Sequence, residues 1–209
     1  ENWIAPVHLR LEGSRAEGSI AFLRNGELRT VLPDGTGDTV VASVGNLAWR
    51  DYGANSLLSW SPDAERLAFV AESSTHPAEL RVIHRNGTGE TMIYRAADED
   101  LRSPSWGADN RIVYSRRALG GSAQPAQHPW RLWSITTGGS GNKALVENAH
   151  MHFLDARWSP DFTQLLVTVA ATQPIANAPR HIYTLSADGT NMSEPLVEGV
   201  FPSWAPTGD

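Results

Sequence analysis

Two histidines separated by one residue are the part of this sequence most suited to chemistry. His150 and His152 flank Met151, and alternation in an extended segment places both imidazoles on one side. Imidazoles bind transition metals and titrate near neutral pH. No third ligand is fixed by the spacing, so packed or solvated histidines are the alternative interpretation. We expect no metal site and no cofactor.

The motifs of common hydrolases do not occur in the sequence. Gly139-Ser140-Gly141 lacks the spacing of a nucleophile elbow, and there is no His-Glu-x-x-His helix. We therefore predict no catalytic residue and a protein that is not an enzyme. The alternative is a small-ligand or metal-dependent enzyme with its chemistry around His150, His152 and Asp155.

A repeated phrase organises the rest of the chain. It reads Trp-Ser-Pro-Asp in two of its four copies, whose tryptophans, Trp60, Trp106, Trp158 and Trp204, are 46, 52 and 46 residues apart. That spacing is close to the roughly 40 to 50 residues of a four-stranded propeller blade. Because one large apolar ring recurs per repeat, we expect it to pack between neighbouring blades. We expect the aspartates of the phrase to form turns.

Each repeat also contains a glycine-containing turn, which lies later in the repeat than the tryptophan phrase. Asn25-Gly26 separates two short apolar runs, as in a type I′ hairpin. A second turn, Asp34-Gly35-Thr36-Gly37, has counterparts at positions 86–89, 138–141 and 188–191. Four phrases and four turns predict an all-β fold, a β-propeller of four-stranded antiparallel blades. The first blade lacks a first strand, so we expect four blades in which the C-terminal strand, 200–205, closes the N-terminal blade. A fragment of a larger propeller assembly, or a structural subunit of one, is the alternative.

The predicted organisation is one propeller with a short lead-in. Residues 1–17 form an N-terminal lead-in or extra edge strand, because Val7, Leu9 and Leu11 alternate with polar residues. The predicted propeller covers 18–209. Its blades are expected at approximately 200–209 plus 18–43, 57–96, 102–147 and 154–199.

The repeats resemble a known family. The Trp-Ser-Pro-Asp phrases, followed by runs such as Leu67-Ala68-Phe69-Val70, and the Asp/Asn-Gly-Thr turns are similar to the WD40-like β-propeller repeats of the TolB kind, over about residues 18–209. The resemblance implies a propeller that binds a protein partner outside the cytoplasm, in the periplasm of a bacterium. Members typically have more blades than the four predicted here, so TolB's own partners are not carried over.

Composition excludes several classes of partner. The net charge of -6 and pI of about 5.6 disfavour nucleic acid, whose binding depends on clustered Lys and Arg. No apolar run approaches the roughly 20 residues of a membrane helix, so we expect no membrane insertion within this chain. The absence of cysteine excludes disulfides and thiolate metal sites.

Long irregular segments all fall at one end of the predicted blades. Binding residues tend to gather on such loops, so we predict a non-catalytic module that engages a protein or envelope component through this long-loop face. The candidate binding residues are Trp49, Arg50, Asp51, Tyr52, Asp100, Arg102, His128, His150, His152 and Asp155.

Overall fold

Fifteen strands make up the regular structure of the described residues. The computed structural model describes residues 18–45, 57–73, 76–119, 128–172 and 179–205. The strands are β1 (Ile20–Arg24), β2 (Glu27–Val31), β3 (Thr39–Ser43), β4 (Leu58–Trp60), β5 (Arg66–Ser73), β6 (His76–His84), β7 (Thr91–Arg95), β8 (Glu99–Trp106), β9 (Arg111–Ala118), β10 (Arg131–Thr136), β11 (Lys143–Val146), β12 (Met151–Trp158), β13 (Gln164–Ala171), β14 (Arg180–Ser186) and β15 (Val197–Glu198).

The strands form four antiparallel sheets in chain order. The first sheet is β1-β2-β3, the second β4-β5-β6-β7, the third β8-β9-β10-β11 and the fourth β12-β13-β14-β15. Each strand pairs with its neighbour in sequence, so every connection within a sheet is a hairpin. This confirms the all-β prediction of a propeller with four sheets.

Apolar side chains on both faces of the inner sheets join each sheet to the next. In β5, Leu67 and Phe69 pack in one cluster with residues of the first sheet, whereas Ala68 and Val70 pack in another with residues of the third. A third cluster joins the third and fourth sheets through residues such as Val113 and Val167. Because successive strand residues point to opposite faces, a strand buried on both sides reads as a continuous apolar run.

The aspartates of the repeated phrase form turns, as predicted. Asp161 accepts hydrogen bonds from Ser159 Oγ at 2.6 Å, from the Thr163 amide at 3.1 Å and from Thr163 Oγ1 at 2.9 Å. Asp63 accepts the corresponding bonds from Ser61 Oγ at 2.5 Å and the Glu65 amide at 3.1 Å. These bonds hold the backbone between the first and second strands of a sheet.

The glycine turns also follow the prediction. Asn25 and Gly26 both have positive φ, 52° and 77°, as a type I′ turn requires. In the second turn type, Asp34 Oδ1 accepts the amide and the hydroxyl of Thr36 at 3.0 and 2.7 Å. Asp188 and Thr190 repeat the same pair of bonds. The repeat in sequence therefore reflects a repeated local hydrogen-bond pattern.

The first strands of the third and fourth sheets share a bulge, and its positive φ recurs near the C-terminus. Ser103 and Asp155 lie three residues before their tryptophans with φ of 52° each, and Phe201 stands in the same relation to Trp204 with φ of 56°. Trp158 Nε1 donates to the Ser105 carbonyl at 3.1 Å. Trp204 Nε1 likewise donates to Arg157 O at 3.1 Å. Residues 200–205 therefore take the place of a first strand packed on the fourth sheet.

The expected pairing of this segment with the first sheet does not occur in the described part of the chain. Strand β1 pairs with β2 alone, and none of the backbone hydrogen bonds of the described residues joins 200–205 to β1. Phe201 is 43% exposed and Ile20 is 50% exposed. The segment is positioned by its tryptophan against the fourth sheet, and this contact does not by itself bring it to the edge of β1.

The four sheets pack one on the next as a row in chain order. Large exposed apolar side chains lie mainly at its two ends, the first and fourth sheets. Met92 is in the second sheet, but the others belong to the first and fourth sheets or to the residues that adjoin them: Ile20, Leu32, Val40, Leu196, Val197, Val200 and Phe201. None of the residues described contributes to a helix long and apolar enough to cross a bilayer.

Candidate functional site

Hydrogen bonds gather several irregular segments at one end of the third and fourth sheets. The Leu119 amide donates to Asp98 O, and the Phe153 amide donates to Trp130 O, both at 2.9 Å. The first bond joins the residue after β9 to the connection into β8. The second joins the segment before β10 to the start of β12. We call this the long-loop end. It is the end at which the sequence analysis placed the binding residues.

A charged cluster is buried between the third and fourth sheets at this end. Asp100 and Arg117 are cross-strand neighbours and form an ion pair with 2.7 Å between Arg117 Nη2 and Asp100 Oδ2. Asp100 is 7% exposed, and Arg102 and Arg117 are each 6% exposed. The two guanidinium carbons lie 3.6 and 4.6 Å from the ring centre of Trp130. Stacking on an indole stabilises a desolvated guanidinium.

Two further hydrogen bonds tie this cluster to β12. Ser103 Oγ donates to Asp155 Oδ1 at 2.8 Å, which links the bulges of β8 and β12. The Trp130 amide donates to His152 Nδ1 at 3.2 Å, so a neutral His152 carries its proton on Nε2. Burial, followed by the charges of Arg102, Arg117 and Arg180, lowers the pKa of His152. The cluster therefore favours an uncharged imidazole.

The lowered pKa of His152 predicts a loss of stability in acid. Below the ordinary histidine pKa of about 6.5, the unfolded chain binds a proton that the folded state does not bind as readily. The free energy of unfolding should therefore fall as the pH falls from about 6.5 toward the pKa of the folded state. The decrease should be at most about 1.4 kcal/mol per pH unit. His152→Gln retains an acceptor for the Trp130 amide and should flatten this slope. Urea unfolding between pH 7 and pH 5 measures it. His150→Gln, at an exposed position, is the control, and an unchanged slope in His152→Gln would contradict the assignment.

The structure separates the two histidines of the sequence motif. His150 is exposed and lies in a turn, where its amide donates to Asn148 Oδ1 at 2.8 Å. His152 is half-buried in β12, and the Asp155 carboxylate is engaged by Ser103. Within the described ranges, no three His, Asp or Glu side chains are grouped so as to hold a metal ion.

The other candidates from the sequence have different environments. Trp49, Arg50, Asp51 and Tyr52 lie outside the described residues. Asp100 and Arg102 were predicted to belong to the loops of the long-loop face, whereas β8 already begins at Glu99 and both side chains are buried. Similarly, β12 begins at Met151, three residues before the expected blade start at 154. The ion pair and the stacking on Trp130 explain how charged residues can enter these strands.

A pocket opens at the same end on the opposite face of the third sheet. Its cavity volume is about 130 Å³, and its lining residues come from β8, β9, β10 and the segment before β10: Glu99, Arg116, Ala118, His128, Pro129, Arg131 and Trp133. His128 is the one residue of this pocket that the sequence analysis selected.

Arg116 is held in place at this pocket by three side chains. Its Nε donates to Glu99 Oε1 at 2.6 Å, and its guanidinium carbon lies 3.9 Å from the ring centre of Trp133 and 5.2 Å from that of Tyr94. Tyr94 Oη donates to the other Glu99 oxygen at 2.5 Å. Burial, together with this bond to Glu99, raises the pKa of Tyr94 to about 12, so its hydroxyl stays protonated. The pocket wall is thus preorganised.

Sequence reasoning did not select Arg116, Arg131 and Trp133 as site residues. The signal was available in the hairpin that flanks the long segment after β9. Arg131 lies opposite Arg116, and Trp133 lies opposite Tyr114. Paired residues in adjacent strands share a face, so aligning the two strands would have placed both arginines and the tryptophan together.

Comparisons with known proteins relate the chain to solved propeller structures. No protein-family model matches the sequence, and no curated protein matches it either. A TolB protein from Agrobacterium tumefaciens is similar in structure, with a TM-score of 0.66 at 14% identity over 91% of this chain and 67% of that one.

Two further structures give the same result. TolB from Acinetobacter baumannii has a TM-score of 0.60 at 15% identity, over 86% of this chain and 41% of that one. An oligogalacturonate lyase from Vibrio parahaemolyticus has a TM-score of 0.59 at 13% identity, over 90% of this chain and 52% of that one. The chain thus spans 41 to 67% of the length of these three structures. Identities this low establish the fold alone, and the fold of this chain is that of a TolB-like β-propeller.

Proposed function

We propose that this protein is a non-catalytic binding module that holds a protein or envelope component at its long-loop end, outside the cytoplasm. The observation that carries the proposal is the pocket lined by Arg116, Arg131 and Trp133. Arginine and aromatic side chains are enriched among the residues that dominate binding energy at protein interfaces. Here they are gathered in a concave site at the end of a sheet.

The rigidity of the site favours recognition of a partner. Association costs free energy for every side chain that must be ordered, roughly 0.5–1.5 kcal/mol for each flexible one. Arg116 is already fixed by Glu99, Trp133 and Tyr94. The buried cluster of Asp100, Arg117 and Trp130 supports the same end from the opposite face of the sheet.

The similarity to TolB structures supports the proposal as an analogy of fold. A fold hosts many functions, and the structures similar to this chain include an oligogalacturonate lyase as well as TolB proteins. The location outside the cytoplasm rests on the resemblance to TolB-type repeats. The pocket geometry is therefore the main support, and it leads to a test by substitution.

Reversing the charge of Arg131 should abolish partner binding and leave the fold intact. Arg131 is half-buried at the pocket, so Arg131→Glu places a negative charge where the partner would bind. Purified protein is immobilised and exposed to an envelope extract of the source cells, and the retained proteins are quantified by mass spectrometry. We expect a companion retained in near-equimolar amount by the unsubstituted protein and reduced at least tenfold by Arg131→Glu.

Arg111→Glu is the matched control for this experiment. Arg111 is also half-buried and also belongs to the paired strands β9 and β10. It lies at the other end of the third sheet, in β9 opposite Thr136 of β10. It should retain the companion at the unsubstituted level. Circular dichroism of both variants confirms folding. A companion retained equally by Arg131→Glu, or no companion at all, would refute the proposed function.

A further inference from the structure

The pocket on the third sheet carries more positive than negative charge, although the chain as a whole is acidic. Its ionisable lining residues are Glu99, Arg116, Arg131 and His128, which gives a formal charge of +1 with a neutral imidazole. The whole chain carries -6. We propose that this pocket binds a carboxylate group of an acidic polypeptide segment, an inference that names the partner chemistry of the proposed function and rests on it.

The two arginines of the pocket call for an additional anion. Arg116 and Arg131 are directly opposite each other in β9 and β10, and like charges in that arrangement destabilise a sheet. Arg116 is compensated by Glu99, with 2.6 Å between Nε and Oε1. Within the described part of the chain, no carboxylate forms an ion pair with Arg131. An external carboxylate beside Arg131 would offset the second charge.

Glu99 does not compete for this role. One of its oxygens accepts from Arg116 Nε at 2.6 Å and the other from Tyr94 Oη at 2.5 Å. The bond from Arg116 comes from the neighbouring strand β9, and the bond from Tyr94 comes from β7 in the second sheet. The carboxylate is thereby committed to fixing Arg116, and the remaining cation of the pocket is left for a ligand.

The size and walls of the pocket limit what it can hold. A volume of about 130 Å³ corresponds to roughly four water molecules at about 30 Å³ each. This is enough for a carboxylate with a short alkyl stem, as in a Glu or Asp side chain. Trp133, Ala118 and Pro129 provide apolar contact for the stem, and His128 adds a hydrogen-bonding nitrogen.

Two short peptides that differ in one charge test the inference directly. The probes are acetyl-Gly-Glu-Gly-amide and acetyl-Gly-Gln-Gly-amide, which are alike in size and hydrogen-bonding reach. Their dissociation constants are measured by NMR titration of the folded protein at pH 7 and low salt. We expect the Glu peptide to bind at least tenfold more tightly than the Gln peptide, with shifts at the Trp133 indole. Arg131→Gln should reduce this preference to less than twofold, and Arg111→Gln should leave it unchanged.

The outcomes separate this inference from the proposed function. Equal binding of the two peptides by the unsubstituted protein would overturn the carboxylate site, even if Arg131→Glu still loses a companion protein. A preference for the Glu peptide that persists in Arg131→Gln would also overturn the carboxylate site, because a residue other than Arg131 would then bind the carboxylate. A preference that disappears in Arg131→Gln supports the site, even if no companion protein is captured.

Discussion

Asp100→Ala should lower the free energy of unfolding by about 3–5 kcal/mol, because it removes a carboxylate that forms an ion pair with a buried guanidinium. Asp100 and Arg117 are 7% and 6% exposed and 2.7 Å apart. Both side chains lie between the third and fourth sheets, where bulk water has little access to the guanidinium. Denaturation by urea, followed by tryptophan fluorescence, measures the loss.

A surface ion pair and a double substitution are the controls for Asp100→Ala. Glu90 pairs with Arg81 where both side chains are about one-third exposed, so Glu90→Ala should cost about 1 kcal/mol or less. Replacing both partners, Asp100→Leu with Arg117→Met, should recover most of the loss, because apolar residues can substitute for a buried pair. A loss below about 1 kcal/mol in Asp100→Ala would show that Arg117 is not dependent on this carboxylate.

Gly189→Ala should be strongly destabilising, whereas the same change at Gly35 should be mild. Both glycines occupy the same position of the same turn, with φ of +88° and +82°. Alanine at such φ costs roughly 1–2 kcal/mol at either site. A Cβ at Gly189 would also lie 2.3 Å from the Leu145 carbonyl oxygen, whereas a Cβ at Gly35 meets nothing within 4 Å.

The difference between these two variants isolates the packing of neighbouring sheets. The added contact should cost about 1–3 kcal/mol beyond the strain, because the Leu145 oxygen belongs to the backbone of β11 in the third sheet and cannot move aside freely. Parallel urea denaturation of Gly189→Ala and Gly35→Ala gives this difference. Equal decreases in the free energy of unfolding would mean that the turn at Gly189 makes no close steric contact with the third sheet.

The architecture was predictable because local chemistry repeats with the sheets. Asp63 and Asp161 accept the same two bonds, from a serine hydroxyl two residues before and an amide two residues after, and Asn25-Gly26 specifies its hairpin by positive φ alone. Such signals depend on a few adjacent residues. The pairing of 200–205 with β1 does not depend on a few adjacent residues. It would require two segments far apart in the sequence to meet, and sequence spacing carries no information about the distance between them.

The candidate site was less predictable because its contacts cross between strands. Asp100 and Arg102 suggest a solvated loop as isolated charges, yet Arg117 and Trp130 from two other segments bury them. The pocket depends on Arg131 facing Arg116 across a hairpin whose strands are separated by residues 119–130. Charge burial of this kind follows from pairing register, which composition and motif spacing do not specify.

The row of packed sheets implies unequal local stability along the chain. In the part of the chain that the structure describes, clusters of buried apolar residues join the first sheet to the second, the second to the third and the third to the fourth, and none joins the fourth to the first. Opening should therefore be least costly at the outer sheets, and amide protons there should exchange with solvent before those of the third. A ligand at Arg131 and Trp133 would then bind the slowest-exchanging part of the molecule, and local fraying at the ends would scarcely weaken its binding.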